Sequence, residues 1–359
     1  MRECTVCRSC FPDHVQTCER DGAQTKPTLP IDPFFKQRYR LLKRLGRGSI
    51  SVVYHAVDAQ LGSEHAVKII LPEYVANSST ASHAFLSQAH KAFALRHPNI
   101  VTVTEFGIVG EPFPYLVMDC IPGQSLGELL SQSGPLSPSV AFKYLKGIGE
   151  GLSFAHSAGI IHGDLKPRNI LFTNDRSAAE SIKITDFGLS GIKSGKLRGP
   201  DAKEASGLVR SPLYLAPEEW SEDEADARSD IYSLGVIVYE MLAGAPPFSG
   251  KSNVAIMKSH LKDSPPSIAE RFPGVTSEIE QVVLHALEKD PANRPASVED
   301  FVEEFGAALM SEFADYEPAE DHLDAQRWST RIQPILLALG VVIVITLIGV
   351  GVYYSRISQ

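Results

Sequence analysis

The chain has 359 residues, 43% of them hydrophobic, which suits one large domain or two smaller ones with appendages and excludes wholesale disorder. A formal charge of −9 offers no broad basic surface to a phosphate backbone, so nucleic acid is not an expected partner. Four of the five cysteines, Cys4, Cys7, Cys10 and Cys18, crowd into the first 18 residues, a metal pattern more than a disulfide pattern. No apolar signal-peptide core precedes them, and the body of the chain is expected in a reducing cytoplasm.

Residues 1–26 read as a Cys-rich module. Cys4-x-x-Cys7 is a metal knuckle, and Cys18-Glu19-Arg20-Asp21-Gly22 resembles the second half of a zinc ribbon, although Asp21 stands where a ribbon has its last cysteine. Tetrahedral Zn²⁺ takes four ligands and Cys4, Cys7 and Cys18 supply three, so Cys10 is the expected fourth, with His14 close behind. Reduced thiols on a flexible arm and a redox sensor are the competing readings. A module below about 40 residues needs the metal to fold at all. A Pro-rich spacer over 27–35 resists helix and strand alike and is expected to be a domain boundary.

From about Tyr39 to Leu71 apolar and polar residues alternate, rich in Val, Ile and Tyr, as in hairpin-linked strands. Thr80 to Leu95 reads as a helix, and two further strands end at Leu116-Val117-Met118 before a short link, Asp119 to Gly123. Helical periodicity returns over 139–158 and 229–243, and near 253–262, 276–288 and 297–310. An acidic stretch over 312–333 reads as a solvated tether. Ile335 to Tyr354 is a 20-residue run without a charged side chain, bordered by Arg327, Arg331 and Arg356. At about 1.5 Å per residue it matches a hydrocarbon core of about 30 Å, so 334–354 is expected to be a transmembrane helix, with a short tail at 355–359. A buried core helix is the competing reading.

Between Leu45 and Arg294 lie Gly46-Arg47-Gly48-Ser49-Ile50-Ser51-Val52-Val53, Ala66-Val67-Lys68, His162-Gly163-Asp164-Leu165-Lys166-Pro167-Arg168-Asn169, Asp186-Phe187-Gly188 and Ala216-Pro217-Glu218. In this order and at these separations they resemble the eukaryotic-like protein kinase family, especially its bacterial Ser/Thr branch. The resemblance implies an α+β, two-lobed fold: a small, mostly β lobe over 36–119 and a larger, mostly α lobe over 120–311. It also implies ATP and Mg²⁺ as cofactors, with Mn²⁺ as an alternative ion, and proteins bearing Ser or Thr as substrates.

Residue by residue, the resemblance makes Asp164 the catalytic base, with Lys166 neutralising the transferring phosphoryl group and Lys68 reaching the α- and β-phosphates. Asn169 and Asp186 become the Mg²⁺ ligands. Leu45, Gly46, Gly48, Ser51, Val53, Ala66, Lys68, Met118, Asp119, Ile121 and Leu171 form the nucleotide site, with Cys120 as an apolar wall beside the adenine. Glycine lets backbone amides approach the phosphates; Ser51 takes the place of the pattern's third glycine. Ser211 stands where a threonine touches the catalytic Asp and Lys, Glu218 and Arg294 resemble a buried ion pair, and Asp230 resembles the carboxylate that holds the catalytic loop.

Two positions depart from the family. Gln88 falls where a glutamate on the first large helix pairs with the strand lysine, unless the register differs and a residue such as Glu73 takes that part. Gly163 falls where an arginine commonly reads a phosphate on the activation segment, so phosphorylation there is not expected to be the main on-switch. The leading expectation is an active kinase body on the cytoplasmic side of the inner membrane. Inputs would then come from cytoplasmic partners, from the Cys-rich head or within the membrane, with no dimer signal in the span. A pseudokinase scaffold recruiting partners through the head is the alternative, and a small-molecule phosphotransferase of related fold fits less well.

Overall fold

A computed structural model describes residues 1–74, 79–110, 113–173, 182–189, 210–220 and 225–314. Residues 1–310 form one compact unit and residues 311–359 a second; the first three residues of the expected tether, 312–314, end the last helix, and the rest of the tether and the expected transmembrane helix lie outside the described residues. Among the described residues no helix is long and apolar enough to cross a membrane.

The chain begins with a three-stranded antiparallel sheet in which β1 (Arg2–Cys4) lies between β2 (Cys10–Phe11) and β3 (Thr25–Pro27). A six-stranded antiparallel sheet follows, in the order β4 (Phe34–Phe35), β5 (Tyr39–Arg47), β6 (Ser51–Asp58), β7 (Glu64–Ile70), β9 (Phe113–Asp119), β8 (Val103–Val109). The strand expectation over 39–71 thus resolves into three hairpin-linked strands. In β7, side chains alternate between two faces as a pleated strand requires. Ala66 and Ile70 join the core shared with α1 (Ser79–Ala94), while Val67 and Ile69 face the opposite side.

That opposite face explains why β7 carries apolar residues on both faces from Ala66 to Ile70, Lys68 excepted. Met1, Leu29 and Phe35 pack with Leu41, Val52, Tyr54, Val67 and Ile69 in one cluster, so the sheet is covered on both sides. The tyrosine hydroxyl of Tyr54 donates to Glu3 at 2.9 Å, and the amide of Arg44 donates to the carbonyl of Arg8 at 3.0 Å. The spacer at 27–35 is therefore not a gap in the packing: Leu29 and Phe35 are 8% and 2% exposed, and β3 and β4 begin and end it. The Pro-rich sequence spoils helix, but Pro27 sits at the end of its strand and Pro33 precedes the next, where proline is tolerated.

Beyond the link the fold is helical. The helices are α2 (Leu126–Ser133), α3 (Pro138–Ser157), α4 (Pro217–Trp220), α5 (Ala227–Ala243), α6 (Asn253–Lys262), α7 (Ile268–Arg271), α8 (Ser277–Ala286) and α9 (Val298–Ala314). Their starts are encoded locally: Ser125 and Glu128 form a capping box on α2, Asp226 and Ser229 on α5, and Thr276 caps α8. Helix α5 is buried on all sides at the centre of this lobe. A short antiparallel pair, β10 (Ile170–Phe172) with β11 (Ile182–Ile184), lies against α3 and brings the loop before β10 and the turn after β11 to the base of the cleft.

Candidate functional site

A cleft of about 1050 Å³ separates the six-stranded sheet from the helical lobe. Its roof is the β5–β6 hairpin, with Leu45, Gly46, Gly48, Ser51 and Val53 on the lining. Ala66 and Lys68 come from β7, Met118 and Asp119 from the end of β9, Ile121 from the link and Leu171 from β10. The sheet register sets this: Lys68 is paired between Val53 of β6 and Leu116 of β9. Cys120 is not on the lining. Its thiol lies with His55 and Glu64 instead, and burial pushes that thiol's pKa up.

Lys68 is 6% exposed, and its ammonium donates to Asp186 Oδ1 at 2.5 Å. Asp186 has a left-handed backbone, φ +76°, a conformation that costs an L-residue roughly 1–2 kcal/mol. Gly188 follows with the same φ, and a Cβ there would lie 2.6 Å from the carbonyl oxygen of Gln88. The triplet is thereby locked against α1, with Gln88 half-buried at the contact. Phe187 packs edge-on against His162 at 4.8 Å between ring centres.

On the other side of the base, Lys166 Nζ donates to Asp164 Oδ2 at 2.7 Å, and Asn169 Nδ2 donates to the carbonyl of Asp164 at 2.9 Å. Because its amide nitrogen is committed to that carbonyl, Asn169 keeps its side-chain oxygen for a cation. The amide of Thr185 donates to the carbonyl of Asn169 at 2.9 Å, which couples the loop bearing Asn169 to the one bearing Asp186.

Asp230, fully buried at the start of α5, accepts from the amides of His162 (2.7 Å) and Gly163 (2.8 Å) and meets His156 Nε2 at 2.8 Å. Burial alone would raise its pKa, but these partners, His156 foremost, hold it below the usual carboxylate value. Glu218 and Arg294 form a two-pronged pair, both contacts 2.8 Å, with Arg294 also donating to the carbonyls of Arg228, Glu288 and Lys289. Burial works against the charge on Glu218, yet Arg294 and Ser229 keep its pKa low. Ser211 lines the cleft and starts the turn Pro212–Tyr214, but among the described residues its hydroxyl bonds neither Asp164 nor Lys166.

Sequence reasoning missed Arg210 and Glu219. Arg210 lines the cleft, and its guanidinium pairs with Glu219 and donates to the carbonyl of Gly163. His156, behind Asp230, and Thr185, whose hydroxyl reaches both Met118 and Asp186, were also missed. None has a local motif, since each depends on a partner distant in sequence.

In the head, the four cysteines expected as ligands do not come together as one group. Cys4, Cys7 and Cys18 come together with Asp21, not with Cys10. Cys10 sits on β2 against the apolar cluster beneath the sheet, where burial pushes its thiol up to about 12 and disfavours the thiolate a metal needs. His14 also lies outside the group.

The cleft suits a nucleoside triphosphate with a hard divalent cation. It has an apolar inner wall, a glycine-containing hairpin above, one buried ammonium, and a carboxylate with an amide oxygen below. When bound, such an ion would neutralise phosphate charge. For their part, Lys68 can orient the α- and β-phosphates, Asp164 can accept a hydroxyl proton, and Lys166 can stabilise negative charge between them.

Residues 39–305 match the family model described as "Protein kinase domain". Serine/threonine-protein kinase PknB of Mycobacterium leprae is 35% identical over 269 residues, 74% of this chain and 42% of the relative. PknB of Mycobacterium tuberculosis is 36% identical over 260 residues, 72% and 40% of the two chains. Serine/threonine-protein kinase pkn3 of Myxococcus xanthus is 33% identical over 272 residues, 75% and 50%. The chain thus spans about two fifths to one half of the length of these relatives. The crystal structure of the M. tuberculosis PknI kinase domain covers 76% of this chain and 96% of that one with a TM-score of 0.61, at 22% identity, a likeness of fold.

Proposed function

The chain belongs to the protein kinase family, and on that premise we propose that it uses ATP and Mg²⁺ to phosphorylate serine and threonine hydroxyls of proteins. The observation that carries this reading is the meeting, in one cleft, of the Lys68 to Asp186 pair with Lys166, whose ammonium holds Asp164 directly behind the lining. Asp164 is the base, Lys166 and Lys68 manage phosphate charge, and Asn169 and Asp186 hold the metal. A purified full-length chain given ATP, Mg²⁺ and a generic basic protein should yield phosphoserine and phosphothreonine on acid hydrolysis. Phosphotyrosine as the main product would overturn the assignment of hydroxyl class.

The Cys-rich head is read with it as a Zn²⁺ module and a surface for a protein partner. Residues 334–354 are read as an inner-membrane anchor with the kinase body in the cytoplasm. Expressed in a bacterial cell, the full chain should sediment with membranes through a carbonate wash, and a chain ending at 314 should not. Retention of the shorter chain would reject 334–354 as the anchor.

A pseudokinase is the second reading, favoured by one observation: α1 presents an uncharged Gln88 beside the Asp186-Phe187-Gly188 turn. An amide supports Lys68 less firmly than a carboxylate would. Since transfer is mostly positioning and charge neutralisation, the rest of the constellation favours activity at a reduced rate.

A further inference from the structure

The head is built from two arms with the same local geometry. In the first, the amide of Arg8 donates to the carbonyl of Cys4 (3.2 Å) and the amide of Cys4 to the carbonyl of Ser9 (2.9 Å). In the second, the amide of Gly22 donates to the carbonyl of Cys18 (2.9 Å) and the amide of Cys18 to the carbonyl of Ala23 (2.8 Å). Arg8 and Gly22, at matching places, are both left-handed, with φ of 63° and 72°. Under this correspondence Cys4 answers to Cys18 and Cys7 to Asp21, so Asp21 occupies the second ligand position of the second arm. Cys10, paired with Glu3, answers to Gln24, paired with Thr17, a position without a metal-ligating side chain in the second arm.

The spacing between the four side chains is that of a coordination shell. Cys7 and Cys18 sulfurs are 3.6 Å apart, and Cys4 Sγ lies 3.4 Å from both oxygens of Asp21. A tetrahedron with metal bonds of about 2.3 Å to sulfur and about 2.0 to 2.2 Å to oxygen has edges of about 3.5 to 3.8 Å. The amide of Val6 donates to Cys4 Sγ at 3.4 Å, which fixes where that sulfur sits. Three soft ligands and one carboxylate suit Zn²⁺ better than Mg²⁺ or Ca²⁺.

We propose that Cys4, Cys7, Cys18 and Asp21 bind one Zn²⁺ and that this ion braces the glycine-rich hairpin of the kinase cleft. The proposal deepens the zinc reading of the head and fixes its ligands. The brace is physical: the Arg8 carbonyl, directly after Cys7, accepts from Arg44 in β5, and Ser9 forms a bridge with Lys43. Glu3, next to Cys4, pairs with Arg44 at 3.1 Å and accepts from Tyr54 of β6. Both strands carrying the hairpin are therefore tied to residues adjacent to the ligands.

The full-length chain, purified with thiols reduced, should hold one zinc by elemental mass spectrometry. Exchange with Co²⁺ should give visible bands of a tetrahedral ion and thiolate-to-cobalt charge transfer. Cys10→Ser should keep the stoichiometry and affinity, whereas Asp21→Ala and Cys18→Ser should weaken Co²⁺ binding at least about tenfold. Asp21→Cys should retain the ion and raise the charge-transfer intensity by about one third, as a fourth thiolate joins three. Chelation should speed amide exchange in 39–58 as well as in 1–27.

Loss of the ion in Cys10→Ser with retention in Asp21→Ala would overturn the ligand set. A metal-free chain with free thiols or a Cys7 to Cys18 disulfide would overturn the site. Faster exchange confined to 1–27 would overturn the brace. None of these readouts uses phosphoryl transfer, so a chain without kinase activity could still carry the site, and an active one could lack it.

Discussion

The guanidinium of Arg210 is paired with the carboxylate of Glu219 and also donates to the carbonyl of Gly163, one residue before Asp164. Glu219 in turn accepts from the amide of Ala216 at 3.0 Å. Arg210 thus holds the loop bearing Asp164 from the side, where a protein kinase would commonly use an arginine in that loop to read a phosphate. Gly163 has φ +66°, a conformation that an arginine there would adopt only under strain. Burial raises the pKa of Glu219 despite Arg210, so its charge depends on that partner.

Arg210→Ala should therefore leave a buried acid without its cation, lowering stability by about 3–5 kcal/mol and the rate of transfer at least about tenfold. The paired change Arg210→Met with Glu219→Leu should recover most of the stability while the rate stays low, because the Gly163 carbonyl still lacks its donor. Thermal unfolding and steady-state kinetics on the same samples separate the two. Joint alanine substitution of Ser190, Ser194 and Ser206, which lie outside the described residues, should leave the rate within about threefold if this pair takes over the work of a phosphate. Ser211 needs its own variant, since it begins the turn below the cleft.

Restoring the family's charge by Gln88→Glu should leave kcat equal or raise it by up to about tenfold. In the structure Lys68 leans on Asp186, a residue also wanted by the metal. A carboxylate on α1 would share that ammonium and release Asp186. A large fall in kcat would mean that α1 is not in the assumed register with Lys68.

Gly188→Ala should cost far more than its one methyl suggests. The added Cβ would meet the Gln88 carbonyl at 2.6 Å and the Ala92 methyl at 3.1 Å, at a φ that L-residues avoid. Either α1 shifts or Asp186 turns away, so Mg²⁺-dependent nucleotide affinity should drop by about tenfold or more, readable by calorimetry without any transfer assay. Unchanged affinity would show that α1 and the triplet move independently.

His260 gives the fold a pH dependence. It is fully buried, its Nδ1 2.9 Å from the hydroxyl of Tyr232, and burial, with help from Lys289, pushes its pKa down to about 4. The unfolded chain, with an ordinary histidine near 6.5, binds the proton more readily. Stability is thus fully present above about pH 6.5 and falls as pH drops towards about 4, by roughly 3 kcal/mol from this group. Urea unfolding across that range should show a slope that His260→Gln flattens; an equal slope in the variant would assign it to other groups.

The cleft was legible because each of its parts is a contiguous motif whose residues meet through one strand or one turn. Lys68 follows from the alternation of β7, and Asp186 and Gly188 from a triplet that needs an unusual turn. Arg210 and Glu219 were not legible, because a pair nine residues apart across an irregular segment leaves no periodic trace. The docking of the head was missed although β7 carried the clue: His65-Ala66-Val67-Lys68-Ile69-Ile70 is too apolar for a sheet with one wet face. At Asp21 the Cys-x-x-Asp spacing was visible, but a preference for sulfur favoured Cys10, whose side chain β2 turns into the core.

The most direct measurement is transfer of radiolabelled phosphate from ATP by the full-length chain, in the presence of Mg²⁺, to itself and to a generic basic protein, beside Asp164→Asn and Lys68→Met. The head must be kept, because Met1 and Leu29 belong to the core beneath the sheet. The account predicts incorporation that disappears in both variants. Nucleotide binding without transfer in the unaltered chain would contradict it and leave a scaffold in place of a kinase.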